Sequence, residues 1–456
     1  MRRVLIANRG EIALRAMRAC RKAGLESVAV HSEADAASPH IWAADAAVCI
    51  GPPAAAMSYL REDVLIDVAR RTGCDAVYPG YGFLSERAGF AERCRSAGLT
   101  FIGPSPEVIA AMGDKAEARR RVAALGVPVV PGSTGTFRTV DEAVEAARSV
   151  GFPLLMKATA GGGGRGMRVA RSVEEFRTLL PQAVAEAEAA FGNGEVYLER
   201  FFDRVRHVEV QVFGDRHGTA RHVWERDCSV QRRHQKLVEE APSPALDPAA
   251  RRAMCEAAAA IVEATGYEGA GTVEFIVDEN SGRFFFIEMN TRIQVEHPVT
   301  EMLTGHDLVV EQLRVAAGER LSIPAAGLAP PPGHVIEWRI CAEDPARNFQ
   351  PSPGRITTWR PPKASWLRFD SHVYPGYAVP PHYDSMIGKL IVRGDSRSQC
   401  LARSAAALDQ FLVEGIATTI PFHRDLARHP DFVAARVHTR WIEDAAGSMP
   451  CPAKAA

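Results

Sequence analysis

Residues 153–170 read PLLMKATAGGGGRGMRVA, and the architecture of the chain turns on this stretch. An apolar run, 153–157, enters Gly161-Gly162-Gly163-Gly164-Arg165-Gly166, and a second apolar run, 167–170, leaves it. Gly161, Gly163 and Gly166 match G-x-G-x-x-G. That dinucleotide fingerprint, however, opens a helix and has an acidic residue about 20 positions further on. Here the next element reads as a strand. No Gly-Lys-Ser/Thr follows, so a P-loop is excluded as well. What remains is a strand–glycine–strand flap. Four consecutive glycines carry an entropic cost that a structural turn does not require. Their backbone N–H groups could wrap phosphates, with Arg165 beside them. A plain flexible hairpin is the alternative.

Upstream, short apolar strands at 4–7, 28–30, 46–50, 76–78 and 100–102 alternate with helical stretches such as 11–22, 62–71 and 87–97. That rhythm predicts an open, Rossmann-like parallel α/β sheet, ended by Gly103-Pro104-Ser105-Pro106. Around the flap, a long helix and a strand at 196–201 complete a small α+β lobe. Downstream, 207–213 alternates Val208, Val210 and Val212 with His207, Glu209 and Gln211, as a two-faced strand does. Segments 271–278 and 283–290 predict a hairpin about Asn280-Ser281-Gly282. Strands resume at 334–341, and a helix is expected near 398–412. The fold class is therefore α/β and α+β, with a largely antiparallel C-terminal part. Expected domains are 1–113, 114–203, 204–330 and 331–445. The stretch 325–332 is expected as a surface connection and 446–456 as a frayed tail.

At 456 residues the chain has room for two to four such units. A net charge of −1 gives no electrostatic footprint for nucleic acid or a membrane surface, so neither is an expected partner. No apolar run reaches membrane-spanning length and none follows Met1 as a secretory signal, so the cytoplasm is the expected compartment. The nine cysteines are scattered singly, which argues against zinc ribbons and disulfide frameworks. Cys228, among charged residues, reads as a buried structural thiol.

The hairpin carries chemistry. Glu274 and Glu288 are symmetric about Ser281 and would face each other across the strands. Like charges so placed repel, and a shared divalent cation removes the repulsion. Oxygen ligands suit Mg²⁺, with Asn290 as a third. A register slip that leaves one glutamate in solvent is the alternative. If the chain stays extended, Glu288, Asn290, Arg292, Gln294 and Glu296 share one face. Arg292 and Gln294 would then suit a small oxyanion, with Glu296 as a base. An exposed edge strand would alternate in the same way. Gln231-Arg232-Arg233-His234-Gln235-Lys236 is either a solvated charged loop or a phosphate-facing turn.

Together these residues resemble the biotin carboxylase family within the ATP-grasp superfamily. Long uninterrupted stretches carry the resemblance: 6–13 (IANRGEIA), 79–86 (PGYGFLSE), 112–115 (MGDK), 225–236 (ERDCSVQRRHQK) and 288–298 (EMNTRIQVEHP). It extends to about Asp444 and makes the flap region an ATP-grasp lid lobe. It implies that Lys115, Lys157 and the lid glycines Gly162, Gly163 and Gly164 contact ATP phosphates. Glu199 and Phe202 fall at the adenine hinge, Met167, His207, Gln231 and His234 at nucleotide-site positions, and Val437 near the adenine. Glu274, Glu288 and Asn290 are similar to the ligands of Mg²⁺ (or Mn²⁺). Arg292, Gln294, Val295 and Glu296 match the bicarbonate pocket, with Glu296 the general base. Lys236 matches the residue that stabilises bicarbonate and the transferring phosphoryl. Arg339, in Glu337-Trp338-Arg339-Ile340, matches the arginine that holds the biotin enolate. The implied reaction carboxylates biotin through carboxyphosphate, with ATP and bicarbonate consumed. The implied partners are a biotin carboxyl carrier protein or domain, a carboxyltransferase subunit and, for some members, a second copy in a homodimer. Lys22 departs from members that place an acid there at a subunit contact, and Ser365-Trp366 from an aromatic-containing turn. Another ATP-grasp ligase would share the lid and the glutamate pair, but Arg292-x-Gln294-x-Glu296 and Arg339 point to biotin. A catalytically dead regulator would have lost Lys236, Glu288 or Glu296. The only Met-Lys pair, Met156-Lys157, lies on an apolar strand before the glycines, so the biotin is expected on a separate carrier.

Overall fold

The computed structural model describes residues 1–159, 167–324 and 331–444. The glycine run, most of the 325–332 connection and the 446–456 tail therefore lie outside the described residues.

Strands β1 (Arg3–Ile6), β2 (Glu26–His31), β3 (Ala46–Cys49), β4 (Ala76–Tyr78) and β5 (Thr100–Phe101) form a parallel sheet in the order β3-β2-β1-β4-β5. Its strands are apolar on both faces because helices cover both. Val4 and Ile6 pack with Ile12, Ala16 and Met17 of the helix Gly10–Lys22. Leu5 and Ala7 turn the other way, toward Leu65 and Val68 of Glu62–Arg71 and Phe90 and Cys94 of Ala88–Ser96.

In the small lobe, β6 (Leu154–Ala158), β7 (Met167–Ala170) and β8 (Val196–Arg200) make an antiparallel sheet in the order β7-β6-β8. The pair Lys157↔Met167 stands at the base of the glycine run, so the run joins two strands and opens no helix. Leu154, Met156 and Leu198 bury one face of this sheet against Phe176 and Leu180 of the helix Val173–Phe191.

The large sheet contains β9 (Val205–Gly214), β10 (Ala220–Arg232), β11 (Gln235–Ala241), β12 (Gly269–Asp278), β13 (Phe284–Asn290) and β14 (His334–Cys341). Strands Met386–Gly394 and Leu367–Ser371 extend it. The order is β13-β12-β9-β10-β11-β14, then Met386–Gly394, then Leu367–Ser371, with antiparallel pairing throughout, so one sheet runs on past residue 330. Val208, Val210 and Val212 of β9 bury against the helix Pro248–Thr265. The polar face of β9 is also buried, since Glu209 and Gln211 have no exposure. A buried polar face needs partners, and that face forms the floor of the site.

Two local devices set the site's geometry. Arg233 and His234, both at positive φ (48° and 66°), form the two-residue turn between β10 and β11, matching the twist such a hairpin needs. Near its turn, the β12–β13 hairpin pairs Val277 with Phe284 and Phe275 with Phe286. Continued unbroken, that register would put Ile287 opposite Glu274. A one-residue bulge before Glu288 restores the Glu274↔Glu288 pair. The extended stretch expected up to Glu296 is a correction. β13 ends at Asn290, residues 291–296 are irregular, and the helix His297–Thr304 begins after Glu296 with Pro298 in its first turn.

Candidate active site

A cleft of about 2420 Å³ separates the small lobe from the large sheet and reaches the N-terminal unit. Lys115, Lys157, Met167, Glu199, Phe202, His207, Gln231 and His234 all line it. Lys115 opens the helix Lys115–Ala124, whose Asp114 cap accepts from the Ala116 and Glu117 amides, so its ammonium starts from a fixed base. Its Nζ pairs with Glu288 Oε2 at 2.9 Å. Lys157, on β6, pairs with Glu199 on β8. Arg119, which the sequence reading did not single out, binds the other Glu199 oxygen. Phe202 stacks on Phe285 at 5.1 Å between ring centroids. Val437 is fully buried in the C-terminal core and is not on the cleft wall. Gly162, Gly163 and Gly164 fall outside the described residues.

On the floor, Lys236 Nζ donates to Glu209 Oε2 (2.6 Å), Glu296 Oε1 (2.7 Å) and Glu274 Oε1 (3.1 Å). Arg339 Nη2 donates to Glu296 Oε2 at 2.9 Å, while its Nε donates to Glu239 Oε1 at 2.6 Å. Glu296, with no exposure, is thus clamped between two cations. Burial alone would favour its neutral form, but Lys236, Arg339 and Arg226 outweigh it and hold the carboxyl well below the usual range. Lys236 is largely buried at the cleft wall, yet Glu209, Glu274 and Glu296 keep it firmly protonated. Glu209 is held in turn by the fully buried Arg226, which also donates to Gln211 and Thr300 at 2.9 Å each. Cys228 Sγ lies 3.9 Å from Glu296 Oε1, and burial pushes its thiol far above reactive values.

The irregular 291–296 segment still gathers the side chains that an extended strand was expected to align. Arg292 Nη1 donates to Gln294 Oε1 at 2.9 Å and its Nη2 to Asn290 Oδ1 at 3.2 Å. Gln294 Nε2 reaches Glu274 Oε1 at 3.3 Å. Glu86 of the N-terminal unit holds this segment by accepting from Arg292 Nε (2.9 Å) and the Thr291 amide (3.1 Å). Sequence parity flagged Glu209, on the His207 face of β9, without a role. Arg226 and Glu86 lie inside the signature stretches 225–236 and 79–86 but had no assigned role, and Arg119 and Glu239 gave no local signal, because their partners lie 80 and 100 positions away.

Glu274 and Glu288 fit a divalent cation by the chemistry of their setting. They are cross-strand partners whose charges are answered by lysine ammonium groups, Glu274 by Lys236 and Glu288 by Lys115. Burial opposes the charge on Glu274, but Lys236 and His207 hold it ionised. His207 Nε2 sits 3.0 Å from Glu274 Oε2, and that carboxylate overcomes burial to raise the imidazole above its ordinary value. The pair offers carboxylate oxygen. Asn290 Nδ2 donates to Glu274 Oε1 at 2.9 Å while its Oδ1 faces Arg292, so its amide would have to turn to add a third oxygen.

A cleft between two lobes, with Lys157 on the small lobe and Lys115 and Lys236 at an acidic pair on the large sheet, is the arrangement of an ATP-grasp enzyme. Family profiles agree along its length. "Biotin carboxylase, N-terminal domain" matches residues 1–109, "Carbamoyl-phosphate synthase L chain, ATP binding domain" 114–324, and "Biotin carboxylase C-terminal domain" 337–444. The chain is 52% identical to biotin carboxylase 1 of Bacillus subtilis over 97% of its own length and 98% of that protein. Among solved structures it resembles the biotin carboxylase–β,γ-ATP complex from Campylobacter jejuni, with TM-score 0.91 and 45% identity over 97% of this chain and 98% of that one. It also resembles the biotin carboxylase domain dimer of 2-oxoglutarate carboxylase from Hydrogenobacter thermophilus, solved with MgADP, ADP and bicarbonate. There the TM-score is 0.90 and the identity 44% over 98% of each chain. The chain belongs to the biotin carboxylase family, and its reaction is the ATP-dependent carboxylation of biotin by bicarbonate.

Proposed function

We propose that Glu296, between Lys236 and Arg339, is the base that activates bicarbonate, and that these two cations divide the reaction between them. The observation that carries this reading is the buried clamp, with Glu296 2.7 Å from Lys236 and 2.9 Å from Arg339. In the resting clamp Glu296 is a weak base. Substrates that draw Lys236 and Arg339 onto their own oxygens remove the stabilising charges and move the carboxylate toward the basicity the step requires.

Arg292, Gln294 and the Val295 backbone then hold bicarbonate. Glu296 takes its proton, and the freed oxygen attacks the γ-phosphorus of ATP, releasing ADP. Lys236 neutralises the phosphoryl in flight. Carboxyphosphate breaks into CO₂ and phosphate, and the phosphate accepts the ureido N–H proton of biotin. Arg339 holds the resulting enolate while its nitrogen attacks CO₂. Lys115, Lys157 and the lid glycines Gly162, Gly163 and Gly164 grip the ATP phosphates. Glu199, Phe202 and Met167 serve the adenine end, with Val437 only packing the core behind it, and His207, Gln231 and His234 serve the rest of the nucleotide. Glu274, Glu288 and Asn290 hold Mg²⁺ or Mn²⁺, which neutralises phosphate charge. Biotin arrives on a carrier, and a carboxyltransferase partner selects the final acceptor, whether acetyl-CoA, propionyl-CoA, pyruvate or another. No helix among the described residues is long and apolar enough to cross a membrane, and the cytoplasm is the compartment we propose.

Glu296→Gln tests the reading. Mg-ATP binding should stay near parental while biotin-dependent turnover falls by roughly 10²–10⁴-fold. Near-normal carboxylation would sink the assignment.

A further inference from the structure

The segment that carries the bicarbonate residues has no regular ladder to fix it, so its carbonyls must be held from outside. Two consecutive ones are. Gln294 O accepts from His297 Nδ1 at 2.7 Å. Burial keeps that ring neutral, so Nδ1 carries its single N–H. Val295 O accepts from Lys389 Nζ at 2.8 Å. Lys389 lies on the strand Met386–Gly394 opposite Arg339 and has no exposure. Its ammonium also pairs at 2.9 Å with Glu11 Oε1, in the first turn of the helix Gly10–Lys22 of the N-terminal unit. The same Glu11 oxygen accepts from the Tyr81 hydroxyl. The other acids near Lys389 are engaged or biased toward the neutral form. Asp370 is bound by Arg368, and burial shifts the Glu337 carboxyl well above its usual range. A buried ion pair is weak evidence for stability as such, and this one holds the peptide that leads directly into Glu296.

We infer that Lys389 is a positioning residue for bicarbonate activation. Kept charged by Glu11, it fixes the Val295–Glu296 peptide and ties the aim of the base to the seating of the N-terminal unit on the large sheet. The inference rests on Glu296 being the base, as proposed above, and Lys389 itself touches no substrate.

Lys389→Met alone would strand the Glu11 charge. The charge-neutral pair Glu11→Gln/Lys389→Met avoids this and keeps an acceptor for Tyr81. This double variant should melt close to the parent and bind Mg-ADP with parental affinity. Its kcat/KM for bicarbonate should fall on the order of 10²-fold, the size expected when a reacting group is misplaced by about 1 Å. Lys389→Arg, which retains a donor to Val295 O, should recover part of the loss. Parental bicarbonate kinetics in the folded double variant overturn the inference. So does an equal loss of Mg-ADP affinity, the signature of a merely structural role. Should the double variant not fold, Lys389→Arg decides: a changed KM for bicarbonate with an unchanged KM for Mg-ATP supports the inference, and two unchanged values contradict it. Glu296→Gln assayed in parallel separates the two readings. If Glu296→Gln turns over normally, the base assignment fails. If it is inactive while the Lys389 variants keep parental bicarbonate kinetics, only the positioning inference fails.

Discussion

Glu288 meets Lys115, whose helix packs beside β13, while its cross-strand partner Glu274 is drawn toward Lys236 and His207. Each carboxylate has its own lysine, and the cation site proposed above draws on both. Glu288→Ala should therefore raise the Mg²⁺ concentration needed for half-maximal ATP turnover by about tenfold or more, since one charged ligand of a carboxylate pair is lost. An unchanged Mg²⁺ titration would remove Glu288 from the metal site. Residues of this kind were legible because carboxylates amid Phe275, Phe286 and Met289 are out of place chemically. Arg226, with no exposure, was not legible. An arginine in a charged stretch such as Glu225-Arg226-Asp227 normally reads as surface, and only the fold brings Glu209, Gln211 and Thr300 to it.

At the scale of elements, hydrophobic pattern gave strands such as β9 and the β12–β13 hairpin, although burial does not follow their alternation, since β9 and β12 are buried on both faces. Period could not give the bulge before Glu288 or the irregular 291–296 segment. Both depend on where the chain is pulled by tertiary contacts, such as Glu86 on Thr291 and Lys389 on Val295. Across β11 and β14, Glu239 and Glu337 are paired directly, and neither Glu337 oxygen has a hydrogen-bond partner. Burial raises the Glu337 carboxyl most and Glu239 adds to it, so its pKa stands well above the usual range despite Lys389. In the unfolded chain it titrates near ~4.3. Between that value and its folded pKa the native state holds a proton that the unfolded chain has lost, so native stability falls as pH rises. The slope reaches up to roughly 1.4 kcal/mol per pH unit. Glu337→Gln abolishes this term. Melting curves taken from pH 5 upward should show the parent losing ground to the variant until the pH passes the folded pKa of Glu337, and parallel curves would refute the raised pKa.

For the whole molecule, the family signatures made the reaction legible before the fold was seen. The way the parts join was not legible. The N-terminal unit grips the catalytic segment through Glu86 and Glu11, and no local pattern announces contacts that span more than 200 residues. Lys157, the only lysine preceded by methionine, belongs to a paired strand and binds Glu199, unlike an exposed attachment turn. Incubation with a biotin ligase, biotin and ATP should therefore leave the intact mass of this chain unchanged, and a stoichiometric biotin adduct would mean that an attachment site exists here. The most direct test of the account uses the purified chain with Mg-ATP, free biotin and radiolabelled bicarbonate. Label should appear in acid-labile carboxybiotin, with ADP release accelerated by biotin and abolished when bicarbonate is omitted. ADP release indifferent to both, with no label in biotin, would contradict it.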